Sequence, residues 1–389
     1  MAIARSTFSA RRFFLAAWAI NVCLNAFYIA PASVFPQMIP ALGISNAQAG
    51  SLISVYLLAI LLFQVPAGYT VDRRDPRPIV FVASLLLLGV SAAAFLIPRY
   101  ESLLLFRFIA GIPVAFVFAP SAFLVAQAYP DSPGRAVGTF LSAPPAGVAL
   151  GNLLGPVVAG ALGWPAVFVS FTIPLLVLAP LFAITGRGLP GRIHEPFTLR
   201  EYVEGFRSAE LWKVGAVFAC SYAAYIFYSS WSPTYLTTSG IGTTAIVAAV
   251  SAAIPAAGIL SRPVGGYLAE GRFKKDKRAV PAIAFVLLAT IAFAIPFLGL
   301  ASTPLLILGG FLAQLPFGVY YVFASAILPA RFTGTAYAFM NTVSLIGGTI
   351  SPGLAGYLLD ATGGFVVPFA MIAGTALLGL ALLVLTRER

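Results

Sequence analysis

The feature that most constrains this chain is a series of apolar runs, each about 20 residues long, that recurs from one end to the other. Twelve can be read: 13–38, 49–71, 78–97, 103–128, 136–162, 165–185, 211–236, 245–269, 280–300, 304–328, 333–359 and 365–385. A helix rises 1.5 Å per residue, so a run of about 20 residues covers the ~30 Å hydrocarbon core of a bilayer. Of the 389 residues 60% are apolar and 9% are charged, against about 25% charged in a soluble domain. Too few charges are present to coat a water-facing surface, which excludes an ordinary soluble enzyme. The mean hydropathy of +0.96 excludes disorder. The expected fold class is an all-α membrane protein of twelve transmembrane helices.

The net charge of +11 does not point to nucleic acid, because the basic residues sit in the short gaps between runs. With a cytoplasmic N-terminus, 21 of the 23 Lys and Arg residues fall on one side of the membrane. Only Arg99 falls in an outer gap, and Arg107 lies inside a run. By the positive-inside rule this places both termini in the cytoplasm and the chain in the inner (plasma) membrane. Arg5, Arg11 and Arg12 precede the first run, which is longer than a signal-peptide core, so it is expected to be a retained span. Cys23 and Cys220 lie in separate runs and His194 in a connector. They offer no disulfide framework, metal site or catalytic triad. No cofactor is expected, and no Gly-x-x-x-x-Gly-Lys-Ser/Thr loop exists to bind ATP. The chain is therefore not expected to be an enzyme.

The sequence repeats. Arg135, Gly138, Thr139, Gly151, Pro156 and Gly160 match Arg331, Gly334, Thr335, Gly347, Pro352 and Gly356 at an offset of 196. Gly68, Tyr69 and Asp72 match Gly266, Tyr267 and Glu270 at an offset of 198. Asn21, Asn25 and Tyr28 fall opposite Ser221, Tyr225 and Tyr228 at an offset of 200. Such self-similarity indicates a duplicated six-helix unit, and an even span count makes the copies parallel. The expected domains are residues 1–186 and 211–389, two pseudo-symmetric six-helix bundles, joined by a cytoplasmic connector over 187–210. Within the connector, Leu199, Tyr202, Val203 and Phe206 share one face, which predicts a short interfacial helix.

After the second run, Gly68, Asp72, Arg73 and Arg77 resemble the loop 2–3 signature of the major facilitator superfamily, and Gly266, Glu270 and Arg272 resemble a degenerate second copy. The resemblance covers nearly the whole chain. It implies a conformational gate that includes Arg331, in which Asp72 faces Thr333–Thr335 at the start of span 11 and Glu270 faces the start of span 5 near Arg135. Span 5 carries Gly151, Gly155, Pro156 and Gly160, similar to that family's antiporter motif, though Ala159 replaces a glycine. Span 11 repeats the pattern with Gly347, Pro352 and Gly356. Glycines four apart also suit close helix packing.

All twelve acidic residues fall in gaps or at span ends, so no mid-membrane carboxylate is available for a cation, and a cationic substrate is disfavoured. Arg107, similar to the arginine of the family's span-4 motif, is the intramembrane charge. Two roles stand open: an anion-binding group, or a structural or proton-linked group paired with a backbone carbonyl or Glu101. The family implies a cavity lined by spans 1, 4, 7 and 10. The expected substrate-binding residues are Arg107, Asn21, Asn25, Tyr28, Tyr225, Tyr228, Trp231, Gln314 and Tyr321. The stretch 227–236 is similar to span 7 of branches that carry cyanate, nitrate or carboxylates. The expected function is a monomeric secondary or facilitative transporter of a small anion or organic acid, working in the bilayer by rocker-switch alternating access. The alternative is a proton-coupled exporter of hydrophobic compounds, with protons as a further partner.

Overall fold

The computed structural model describes residues 2–189, 208–327 and 333–386, with side chains omitted for residues 2–9, 71, 72 and 333–335. The expected connector helix, His194 and Arg331 lie outside the described residues. Twelve helical segments are long and apolar enough to cross a membrane. Spans 1–6 are Ala10–Ser33, Asn46–Thr70, Pro76–Leu96, Tyr100–Ala128, Pro133–Leu162 and Trp164–Thr185. Spans 7–12 are Ala209–Thr238, Thr244–Glu270, Ala279–Phe297, Gly299–Ile327, Ala336–Thr362 and Val366–Val384.

Local chemistry sets several ends. Ser45 caps span 2 in a reciprocal box with Gln48, satisfying two otherwise orphaned amides. Asp75 caps span 3 through the Arg77 amide. The first run is shorter than expected, because helix Ala2–Ser33 stops and a separate helix, Phe35–Leu42, begins with proline in its first turn.

Three spans are broken within their length. Span 4 divides into Tyr100–Ala115 and Phe118–Ala128, span 5 into Pro133–Phe140 and Ala143–Leu162, and span 10 into Ser302–Gln314 and Phe317–Ile327. Prolines explain two of the breaks: Pro144 and Pro145 open the second piece of span 5, and Pro316 precedes that of span 10. Proline lacks the N–H that would continue the ladder.

The most extensive helix contacts pair span 7 with span 11, span 2 with span 11, span 1 with span 5, span 2 with span 4 and span 5 with span 8. Spans 2 and 11, and spans 5 and 8, join the first six helices to the last six. Glycine makes the close approaches possible. A Cβ at Gly151 would strike the Ala26 carbonyl and Ile29 of span 1, and one at Gly155 would strike Ser33. At Gly347 it would meet the Ala219 carbonyl of span 7, and at Gly356 the Asn46 carbonyl of span 2. Gly160 departs from the expected packing face: nothing lies within 4 Å of where its Cβ would be. Ala159, buried to 7% exposure, continues the Gly151–Gly155 stripe instead.

Candidate functional site

Within each half short connectors make successive spans alternate in direction, and the bonds of Asp360 to Asn46 and Ala47 set the end of span 11 beside the start of span 2. The ends bearing Arg73, Arg77, Arg135, Lys213 and Arg272 therefore share one face, called here the basic face. A cavity of about 700 Å³ occupies the centre of the bundle. Its lining reaches Gly68, Gly138 and Tyr337 near the basic ends of spans 2, 5 and 11. In spans 2, 4, 5, 7, 8, 10 and 11 it stops at least ten residues short of the opposite end. The cavity thus opens on the basic face, and the breaks of spans 4, 5 and 10 contribute Phe118, Ser142 and Phe317 to its wall.

Of the expected binding residues, Asn21, Asn25, Tyr28, Tyr225 and Tyr321 line the cavity. The Nδ2 groups of Asn21 and Asn25 donate to the carbonyls of Ala17 and Asn21, at 2.9 and 2.8 Å. Tyr321 donates to Asn341 Oδ1 at 2.6 Å. Gln314 stands behind the wall.

Three expected residues lie elsewhere. Tyr228 is fully buried and packs against Gly309 and Phe369. Trp231 donates Nε1 to the Pro352 carbonyl at 3.1 Å and packs on Phe35. On span 7 the cavity face is Phe218, Tyr222 and Tyr225, whereas Ser221 turns aside to bond the Tyr320 hydroxyl at 2.7 Å. The expected polar stripe was offset by part of a turn.

Arg107 is the third. It is 1% exposed and absent from the cavity wall. Its Nε donates to the Leu52 carbonyl at 3.0 Å, Nη1 to Phe27 at 3.2 Å and Nη2 to Tyr28 at 2.6 Å. Its guanidinium carbon sits 4.4 Å from the Tyr56 ring centroid. Pro31 lies inside the helix and deprives the Phe27 carbonyl of its usual i+4 donor. Arg107 supplies that donor, so here it ties span 4 to spans 1 and 2, the carbonyl-paired role.

The charge in the cavity is Arg262, which sequence reasoning assigned to the basic edge. It lies within span 8 and is the only charged residue among the described lining residues. Its Nη2 donates to Gln314 Oε1 at 3.0 Å. Its guanidinium carbon is 5.0 Å from the Phe317 centroid and 6.0 Å from that of Tyr225. Its Nε–H is buried without a partner. An arginine inside a run that continues to residue 269 was the signal available.

The opposite face is closed by groups that join the two sets of helices. Asp360, at the end of span 11, accepts from the backbone amides of Asn46 and Ala47 at 3.0 and 2.8 Å and from Asn46 Nδ2 at 2.7 Å. A carboxylate there answers the positive end of the span 2 dipole. Ser54 Oγ accepts the Gly353 amide at 3.1 Å. Asn152 Nδ2 donates to the carbonyls of Ser229 and Ser251 at 3.0 and 3.1 Å. Pro233 and Pro255 lie four residues beyond those carbonyls, inside spans 7 and 8. One amide therefore serves two acceptors that proline has left open.

On the basic face, Gly68 borders the mouth. Arg77 forks onto Asp75, with Nη2 to Oδ2 at 2.6 Å, and donates Nη1 to Gly186 at 3.2 Å. Arg73 lies 3.6 Å over the Tyr69 ring. The Asp72 side chain is outside the described residues. Arg135 and Glu270 are exposed, and no hydrogen bond or ion pair joins them.

The chain is similar to known proteins over most of its length. The chain is 26% identical over 363 residues to the hexuronate transporter of Bacillus subtilis, covering 86% of this chain and 84% of that one. It is 28% identical over 373 residues to a probable sulfoacetate transporter of Cupriavidus necator, with 88% and 85% covered. A probable L-galactonate transporter of Escherichia coli is 24% identical, with 83% and 77% covered. Among solved structures, a bacterial homologue of the human lysosomal transporter Spinster, in an inward-facing and unoccupied conformation, superposes with a TM-score of 0.77 at 18% identity. That superposition covers 97% of this chain and 95% of the other. The Major Facilitator Superfamily model matches residues 16–352, and with twelve spans around a central cavity the chain belongs to that superfamily of membrane transporters.

Proposed function

We propose that this protein carries small organic anions across the inner (plasma) membrane by alternating access, with its termini and basic face in the cytoplasm and the described conformation open inward. Arg262 is the observation that carries this reading. It places a lone guanidinium beside a cavity whose described lining holds no acidic residue. An arginine within a membrane span is costly unless it is paired or faces water, and an anionic ligand offsets that cost through charge-assisted bonds. Gln314 orients the guanidinium, and Phe317 and Tyr225 shelter it. Asn21, Asn25 and Tyr321 complete the wall around the ligand. The substrates named for the hexuronate, sulfoacetate and galactonate relatives are all organic anions, which supports the same class and does not favour the exporter of hydrophobic compounds. One chain encloses the whole cavity, which suits a working monomer. Arg107 acts as a positioning residue behind Tyr28.

The test is anion uptake into proteoliposomes holding the purified full-length protein. Arg262→Ala should abolish uptake, and Arg262→Lys should restore only part, because an ammonium lacks the planar fork. Normal uptake by the alanine variant refutes the assignment.

A further inference from the structure

We infer that the preferred substrate is a monocarboxylate with a flat aromatic body, rather than a polyhydroxylated sugar acid. The inference rests on the reading of Arg262 as the anion anchor and adds the chemistry of everything else in the cavity.

Charge is the first constraint. Arg262 alone among the 37 lining residues is charged, which matches one carboxylate and leaves a second without a counter-ion. Hydrogen-bonding capacity is the second. The uncharged amide and Ser side chains of the wall are Asn21, Asn25, Gln64, Ser142, Asn341 and Ser344. Each is already bonded inside the protein: Asn21 and Asn25 to main-chain carbonyls of their own helix, Gln64 to Thr342 at 2.7 Å, Ser142 to the Thr139 carbonyl, Asn341 to Tyr321, and Ser344 to the Asn341 carbonyl. A sugar acid brings several hydroxyls that must exchange water for protein partners, and a buried hydroxyl left without one is penalised. What the wall keeps in reserve is chiefly phenolic hydroxyls, those of Tyr222 and Tyr337 among them, each carried on an aromatic ring, with the second N–H of the Asn amides beside them.

Shape and polarity are the third constraint. Nine of the 37 lining residues are Phe or Tyr. They concentrate around Arg262: Phe317 meets Phe218 at 4.9 Å between centroids, and both Tyr222 and Tyr225 at 6.0 Å. A carboxylate on the guanidinium therefore sets the rest of the ligand among aromatic rings. Rings accept another ring in offset or edge contact at 4.5–7 Å. The cavity of about 700 Å³ is within the range of drug-sized ligand sites and leaves room for such a body beside water.

The full chain in lipid nanodiscs is titrated calorimetrically with benzoate, acetate and galacturonate. Benzoate should bind at least tenfold more tightly than either of the others. Arg262→Ala should remove binding of all three. Phe317→Leu, which keeps an apolar side chain and so protects folding, should weaken benzoate by a severalfold larger factor than it weakens acetate. Galacturonate binding as tight as benzoate, with the same dependence on Arg262, overturns the aromatic preference and leaves the anion-carrier reading standing. Benzoate binding untouched by Arg262→Ala, in a variant that melts like the parent, overturns the anchor itself. Absence of benzoate binding in the parent also overturns the inference.

Discussion

Replacing Asn152 with leucine keeps the number and branching of side-chain heavy atoms, at somewhat greater bulk, and removes both hydrogens that bridge the two sets of helices. The Ser229 and Ser251 carbonyls they serve then have neither the amide nor a helix donor, since Pro233 and Pro255 cannot supply one. Hydrogen bonds between membrane helices average about 0.6 kcal/mol and reach about 1.7, so the pair is worth roughly 1–3 kcal/mol. At 1.4 kcal/mol per tenfold, a bridge made only in this conformation holds it by a factor of about 5 to 150. The readout is labelling of a Ser251→Cys reporter by a membrane-impermeant maleimide added at the face opposite the basic one, with Cys23 and Cys220 replaced by serine. Ser251 is 1% exposed and its hydroxyl has no partner, so the reporter disturbs little. Asn152→Leu should raise the labelling rate at least fivefold. An unchanged rate, with unchanged melting, would show that the bridge does not distinguish the two conformations and would refute the reasoning.

Other substitutions probe separate links. Asp360→Asn keeps the shape but loses the charge that meets the span 2 amides, a contribution of about 0.3–1 kcal/mol; the same reporter should label up to about fivefold faster. Arg107→Leu withdraws three donors from spans 1 and 2, so the melting temperature should fall by several degrees, and Arg107→Lys should recover only part, since one ammonium cannot reproduce the fork. Gly347→Val should abolish folded expression by driving its side chain into the Ala219 carbonyl, whereas Gly160→Ala, which meets open space, should melt like the parent.

Span number and membrane character were legible because hydropathy averages over twenty residues and tolerates local error. Which way a given side chain faces was not. Asn21, Asn25 and Tyr28 line the wall, but of the stripe expected on span 7, Ser221, Tyr225, Tyr228 and Trp231, only Tyr225 does, because the cavity face there runs through Phe218, Tyr222 and Tyr225. In an apolar helix a buried hydroxyl satisfied by a neighbour, such as Ser221 on Tyr320, looks the same in sequence as one that faces water. Arg107 and Arg262 illustrate the same limit for charge. Sorting arginines by gap and run found the first and missed the second, although each lies inside a span. Only coordinates reveal that three carbonyls occupy Arg107 while Arg262 keeps an unused donor. Asn152 was equally hidden, because its partners become acceptors through prolines on two distant helices.

The capture of Asp360 by the tip of span 2 has an evolutionary corollary. Its receptor is mainly main-chain N–H, which every residue except proline supplies. Position 46 can therefore drift freely, at the loss of one amide contact, and position 47 can take any side chain that fits. The acid at 360 has no such latitude, and proline is the one residue at 46 or 47 that would strip a main-chain donor from the clasp.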